Sequence, residues 1–262
     1  MNPSSYSKAR SLLADYNKVF TLEKRERWTN KRLVVCPPSI YYQLFDEQRK
    51  LNIKLGGQNI FWKSSGSYTG QISAKMLKNF GGEYVILGHS ENRALGEHDG
   101  IINLKIDDAL KNYITPIVCV GYRDCLKEAR SVINYFSEEE LNRIIFAYEP
   151  HGAIGSSSPA SPENVALVMR KIKKMIFKKF KEKYIFGAIN LTGKKRIIPR
   201  PAIIYGGSVD INNYKNYLTI PDLGGFILGR ESFNPQNIKE MLLEIDRKEI
   251  VLPSQNKSGT KK

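Results

Sequence analysis

Short apolar runs that end in polar or glycine-rich tips recur along this chain, separated by stretches with helical spacing. The clearest are Tyr84-Val-Ile-Leu-Gly-His-Ser-Glu-Asn-Arg93, Ile144-Ile-Phe-Ala-Tyr-Glu-Pro150, Ala202-Ile-Ile-Tyr-Gly-Gly-Ser-Val209 and Gly224-Gly-Phe-Ile-Leu-Gly-Arg230. Runs this continuous in hydrophobicity suit strands covered on both faces, as in a parallel sheet. Strands are expected at Leu33–Cys36, Ile53–Ile60, Tyr84–Leu87, Pro116–Val120, Ile144–Tyr148, Ala202–Tyr205 and Gly225–Leu228. The tips carry His89, Glu149 and two glycine-lined turns, which together read as an acid/base pair beside a phosphate cradle.

The intervening segments read as helices. One spans about Ser4 to Phe20, with Leu12, Leu13, Tyr16 and Phe20 on one face. Ser39 caps a helix expected to run to about Lys50, and Ser73 to Phe80 is a short helix closed by Gly81-Gly82. Gly100 to Asn112 follows, Ser137-Glu-Glu-Glu140 forms a capping box, and Pro162-Glu163 opens a long basic helix, as proline at a first helical turn does. Asn234-Pro235 opens the last helix, to about Arg247. Strand and helix alternate throughout, so the class is α/β with a parallel sheet. The spacing between Glu149 and Ala202 is longer than the rest, leaving room for an added strand or loop excursion around Ile185 to Arg200.

A chain of 262 residues with 41% hydrophobic content can bury one large core. One βα domain is expected over residues 1–250, with 251–262 a disordered basic tail. No apolar run is long enough to span a membrane, and the polar start gives no leader signature. Three cysteines, Cys36, Cys119 and Cys125, read as free thiols in a reducing cytoplasm. No Cys/His pair has metal-ligand spacing, so no metal is expected. The net charge is +15, with much of the excess in Arg170–Lys183. Ile172, Met175, Ile176, Phe177 and Phe180 recur there at helical spacing, which marks an outer helix with a solvated lysine face. No nucleic-acid or membrane partner is expected, although a nucleic-acid-associated role for that helix stands as an alternative.

The motifs, in their joint order and spacing, resemble those of the triosephosphate isomerase family over most of the chain. They are Gly-Gly-Gln-Asn at 56–59, Gly-Ser-Tyr-Thr-Gly-Gln-Ile-Ser at 66–73, the Gly-His-Ser-Glu segment, Val-Cys-Val-Gly at 118–121, Ala-Tyr-Glu-Pro at 147–150, Ala-Ile-Gly at 153–155 and Tyr-Gly-Gly-Ser-Val at 205–209. The resemblance implies a TIM (β/α)8 barrel and interconversion of glyceraldehyde 3-phosphate and dihydroxyacetone phosphate through an enediolate, without cofactor. Carried over from the family, Glu149 is the base and His89 the neutral electrophile. Glu91 is a supporting carboxylate that orients a lysine, and Cys119 a buried supporting cysteine. Gly155, Ser208 and Gly229 match phosphate-binding backbone positions, with Arg230 where the family often has glycine. Pro150 to Ala160 matches a mobile lid, but Gly152 replaces the usual tryptophan. The loop around Thr69 matches one that enters a neighbouring subunit, so a homodimer is expected.

One part of the family pattern has no counterpart. Its first strand ends in Asn-Trp-Lys-Met-Asn, and Met1-Asn2 coincide with the last two of those residues. The strand and its lysine are therefore absent, and only seven strands are found where a closed barrel has eight. Either the start lies at an internal methionine, which is the expectation because the other site residues are intact, or the chain is truncated and barely active, a non-catalytic phosphate-binding barrel. On both accounts the barrel over residues 1–262 is open between Leu33–Cys36 and Gly225–Leu228.

Overall fold

A computed structural model describes residues 2–20, 32–46, 53–150, 159–184 and 201–249. Six parallel strands form one sheet in sequential order: β1 (Leu33–Val35), β2 (Ile53–Gly57), β3 (Tyr84–Leu87), β4 (Thr115–Val120), β5 (Ile145–Tyr148) and β6 (Ala202–Tyr205). Helices cover the outer face: α1 (Tyr6–Phe20), α2 (Tyr42–Asp46), α3 (Ala74–Asn79), α4 (Ser90–Ala94), α5 (Asp99–Lys111), α6 (Cys125–Tyr135), α7 (Glu138–Leu141), α8 (Pro162–Tyr184), α9 (Tyr214–Tyr217) and α10 (Pro235–Glu249).

Two strand expectations change. The run Ile53–Ile60 is a strand only to Gly57, after which Gln58 and Asn59 turn their amides to neighbouring groups. Gly225–Leu228 makes a single parallel bridge, Tyr205↔Phe226, instead of a strand. Among the described residues it has a partner on one side only, and Gly225 at its start holds φ +147°. The helix expected from Ile40 instead begins as a 3-10 turn at Ser39–Tyr41 capped by Pro38, not Ser39. The capping box expected at Ser137 forms with both halves, and Ser73, expected only as the start of its helix, caps α3 by accepting from the Met76 N–H. The possible excursion at 185–200 and the basic tail lie outside the described residues.

The sheet has two apolar layers because side chains alternate across it. The outer layer packs under the helices: Val85, Leu87, Val118 and Phe146 are fully buried. The inner layer comprises Tyr84, Ile117, Cys119 and Ala147, with Val34, Ile86, Ile145, Ile204 and Ile227 packed on them but only partly buried. The difference has one cause: the wall is open. Among the described residues nothing pairs with the outer edge of β1 or the far side of the Phe226 segment. The gap leads into an apolar cavity of about 1290 Å³ lined by the inner residues and by α1 and α10. That exceeds the roughly 300–1,000 Å³ of a small-molecule pocket. α1 packs against α10 across the outside of the gap, and Tyr16 Oη–H donates to Ser232 O at 2.7 Å.

The basic helix behaves as an outer layer. Val165, Met169, Ile172, Ile176 and Phe180 form its buried stripe, while Arg170, Lys171, Lys174 and Lys178 are exposed. Phe177, grouped by spacing with the apolar face, is 41% exposed. Two lysines act locally: Lys173 donates to Pro221 O and Asp222 O, and Lys179 to Asn134 O. Among the described residues no helix is long and apolar enough to cross a membrane.

Candidate active site

The register of the sheet brings the functional tips to one end. Leu87 pairs with Val118, Val120 with Tyr148, and Tyr148 with Tyr205. His89, Glu149 and the Gly206–Ser208 turn therefore leave the sheet together at its C-terminal edge, where barrels of this kind carry their sites.

His89 is the N-cap of α4, and its Nδ1 accepts the Glu91 backbone N–H at 3.3 Å. A ring nitrogen that accepts carries no proton, so the proton of the neutral ring sits on Nε2. Nε2 lies 3.7 Å from Glu149 Oε2. That is too long for a direct hydrogen bond, and the two groups face each other across a narrow gap.

Glu149 is 5% exposed at the tip of β5. Its Oε2 has no hydrogen-bond partner among the described residues. A buried carboxylate with a free oxygen is strongly basic for its type. Burial raises its pKa above the usual carboxylate value, opposed by His89 and by a hydrogen bond from Cys119, while Glu91 adds a smaller upward push. Burial, then the Glu149 charge, hold the Cys119 thiol well above its usual pKa, so it remains an S–H donor. All three cysteines are free.

Two glycines let Glu149 sit where it does. A Cβ on Gly121 would lie 2.4 Å from Glu149 O, and Gly121 adopts φ +128°. A Cβ on Gly206 would lie 2.2 Å from Ile227 Cγ2 and 2.8 Å from Glu149 Oε1. A side chain at Gly121 would displace the Glu149 backbone, and one at Gly206 its carboxylate.

Ser208 holds φ +54°, an unusual conformation for a residue with a side chain. It lies three residues past Tyr205, as Gly229 lies three past Phe226, so the Tyr205↔Phe226 bridge sets both at the same edge. Gly229 has open space around its Cα and precedes a 3-10 turn, Arg230–Phe233, with Arg230 exposed at its start. Gly155 and the lid residues 151–158 lie outside the described residues. The segment rejoins the fold at Ala160, whose N–H donates to Tyr205 Oη at 3.1 Å and whose carbonyl accepts from Tyr217 Oη at 2.7 Å. Neither tyrosine contact was expected from sequence.

The sequence profile of the family described as triosephosphate isomerase matches residues 1–245. Curated relatives named triosephosphate isomerase agree: the protein of Alkaliphilus oremlandii is 34% identical over 216 residues, covering 78% of this chain and 82% of the relative. That of Coprinopsis cinerea is 31% identical over 248 residues, 90% and 91% of the two chains. The chain belongs to the triosephosphate isomerase family. The parallel six-stranded arrangement among the described residues is consistent with the barrel of that family.

Against the family pattern, His89, Glu149, Cys119, Ser208 and Gly229 converge at one edge. Glu91 sits beside His89, its carboxylate 3.6 Å from Nδ1 and 84% exposed. It has no lysine or arginine at ion-pair distance among the described residues. Arg32 is the one Lys or Arg lining the cavity among them, and it is engaged near the N-terminal end of the sheet by Tyr84 Oη at 2.9 Å. Among the described residues no group of three or more His, Cys, Asp or Glu side chains could hold a metal ion.

Proposed function

We propose that this protein interconverts glyceraldehyde 3-phosphate and dihydroxyacetone phosphate in the cytoplasm, in glycolysis and gluconeogenesis, without cofactor. The observation that carries the reading is the unpartnered Glu149 Oε2 facing His89 Nε2–H across 3.7 Å. Glu149 takes a proton from the hydroxymethyl carbon of dihydroxyacetone phosphate. The electron pair of that C–H bond forms the C=C bond, and the carbonyl π pair moves to oxygen, giving an enediolate. His89 Nε2 gives its proton to that oxygen and takes up the proton of the neighbouring terminal hydroxyl. Glu149 then returns its own proton to the former carbonyl carbon as the C=C pair moves there, and the terminal C–O becomes the aldehyde carbonyl. Cys119 holds the carboxylate, Glu91 orients a cation, and the backbone at Gly155, Ser208 and Gly229 holds the phosphate with Arg230 beside it. Residues 1–250 act as one barrel domain followed by a basic tail, and neither nucleic acid nor membrane takes part.

The direct test is isotope exchange. Dihydroxyacetone phosphate incubated with the protein in D2O should gain deuterium on the carbon beside the carbonyl, read by proton NMR. No uptake with either this chain or one extended by an upstream strand would end the isomerase reading.

A homodimer through the loop around Thr69 belongs to the same proposal. Gly66 and Gly70 turn that loop with φ +132° and +80°, and Thr69 is exposed at its tip. Tyr68 is 41% exposed and packs against Phe61, with ring centroids 4.5 Å apart and the planes tilted by 45°. Such a rigid aromatic base presents the tip to a partner. Sedimentation of the extended chain should give twice the chain mass, and Thr69→Arg should shift it to monomer. A monomer at micromolar concentration without that substitution would remove the interface.

A further inference from the structure

We propose that Arg93 is a positioning residue that sets the separation of His89 from Glu149. Its side chain is 5% exposed and does not line the cavity. Nε–H donates to Gly88 O at 2.8 Å, the carbonyl immediately before His89. Nη1 donates to Asp99 Oδ1 at 2.7 Å. Nη2 reaches Cys119 O at 3.5 Å and lies 3.9 Å from Glu128 Oε2. One planar fork thus ties the tip of β3, which carries His89, to the tip of β4, which carries the thiol that bonds Glu149.

Glu128 completes the tie from the other side. It is 5% exposed, in the first turn of α6. It accepts the backbone N–H groups of Gly121 at 2.7 Å, Tyr122 at 3.3 Å, Arg123 at 2.9 Å and Asp124 at 3.4 Å. Gly121 lies close enough to Glu149 that a Cβ on it would fall 2.4 Å from Glu149 O, and Glu149 N–H donates to Val120 O at 2.9 Å. Moving the β4 turn therefore moves Glu149. Moving Gly88 O moves His89. The guanidinium and its carboxylate hold both at once.

Only arginine supplies donors in three directions from a rigid plane. A lysine of similar length keeps the charge but engages one or two of these acceptors and leaves the strand tips free to shift. A shift near 1 Å at the reacting pair costs on the order of 10²-fold in rate.

This inference rests on His89 and Glu149 being the reacting pair, so its test has a readout independent of turnover. The imidazole 15N shifts of His89 are recorded with and without Glu149→Gln. The change caused by that substitution measures how closely the two side chains face each other. It is then measured again with Arg93→Lys and, separately, with Glu128→Gln, a near-isosteric change that keeps the fold if Arg93→Lys does not. In the unsubstituted chain Glu149→Gln should shift the His89 signals clearly, and in both second backgrounds the shift should shrink by about half or more. In an isomerase assay per folded molecule, Arg93→Lys should lower kcat by about 10²-fold with KM nearly unchanged. A His89 response of equal size in all folded backgrounds, or a kcat unaffected by either substitution, would make Arg93 merely structural. Absence of turnover in every protein would count against the isomerase reading alone, and the histidine shifts would still decide the positioning role.

Discussion

Glu149→Gln is expected to lower isomerase activity by on the order of 10²–10⁴-fold, the range lost with a positioned general base. The same substitution should change how stability depends on pH. Burial is the main cause of the raised Glu149 pKa. Between the ordinary carboxylate value and the raised one, the folded protein binds more protons than the unfolded chain, so stability falls as pH rises through that window. Above it the loss is complete and constant. The amide cannot ionise, so Glu149→Gln should remove that decline, measured as denaturation midpoints from about pH 4 upward. The acid limb of kcat/KM should likewise lie above the usual carboxylate range. Glu149→Asp keeps the charge but withdraws it by one methylene, and should lose about 10²-fold in rate. Full activity in Glu149→Gln would remove Glu149 as the base, and an unchanged pH slope would remove the account of its basicity.

The strands were legible because each interior strand is buried on both faces and reads as one apolar run. That signal weakens where a strand lacks a neighbour. Gly225–Leu228 carries the same apolar pattern as Ala202–Tyr205, yet only Phe226 makes a bridge. The short α4 and α9 carry no periodicity to detect in four or five residues. His89 and Glu149 were legible because their strand-end motifs are local. Arg93 was not, although it stands four residues past His89. Its role depends on Gly88, Cys119 and Glu128 meeting in three dimensions, and no spacing along the chain announces that. Tyr217 was invisible for the same reason: its contact with Ala160 crosses 57 positions. The pair of glycines at 206–207 was readable as a turn, but that a Cβ on Gly206 would fall 2.8 Å from the Glu149 carboxylate appears only in the structure.

A protein extended at its N-terminus by a strand ending Asn-Trp-Lys should turn over substrate on the order of 10²–10³-fold faster than residues 1–262, the loss expected for one absent charge donor at a developing anion. Three features of the fold lead to this. First, the cavity is bounded by β1 and the Phe226 segment, whose outer edges pair with nothing among the described residues, and by inner residues only partly buried, which is the lining of a strand position. Second, Asn2 lies at the site end of that gap: its Oδ1 accepts from Gln58 Nε2 at 2.8 Å, and Gln58 also donates to Cys36 O. A strand entering Asn2 from the far end would run parallel to its neighbours and finish beside Glu91. Third, the exposed Glu91 carboxylate has no lysine or arginine partner among the described residues, and the enediolate proposed to form between His89 and Glu149 needs a nearby cation. The added strand should also pair both edges. Open edges invite association between molecules, so the shorter chain should aggregate where the extended one remains dispersed. One coupled assay and one light-scattering run on the two proteins suffice. Equal turnover by both would mean that the cation is unnecessary or supplied elsewhere. An active extended protein whose lysine can be changed to methionine without loss would show that closing the wall, and not the charge, is what the strand contributes.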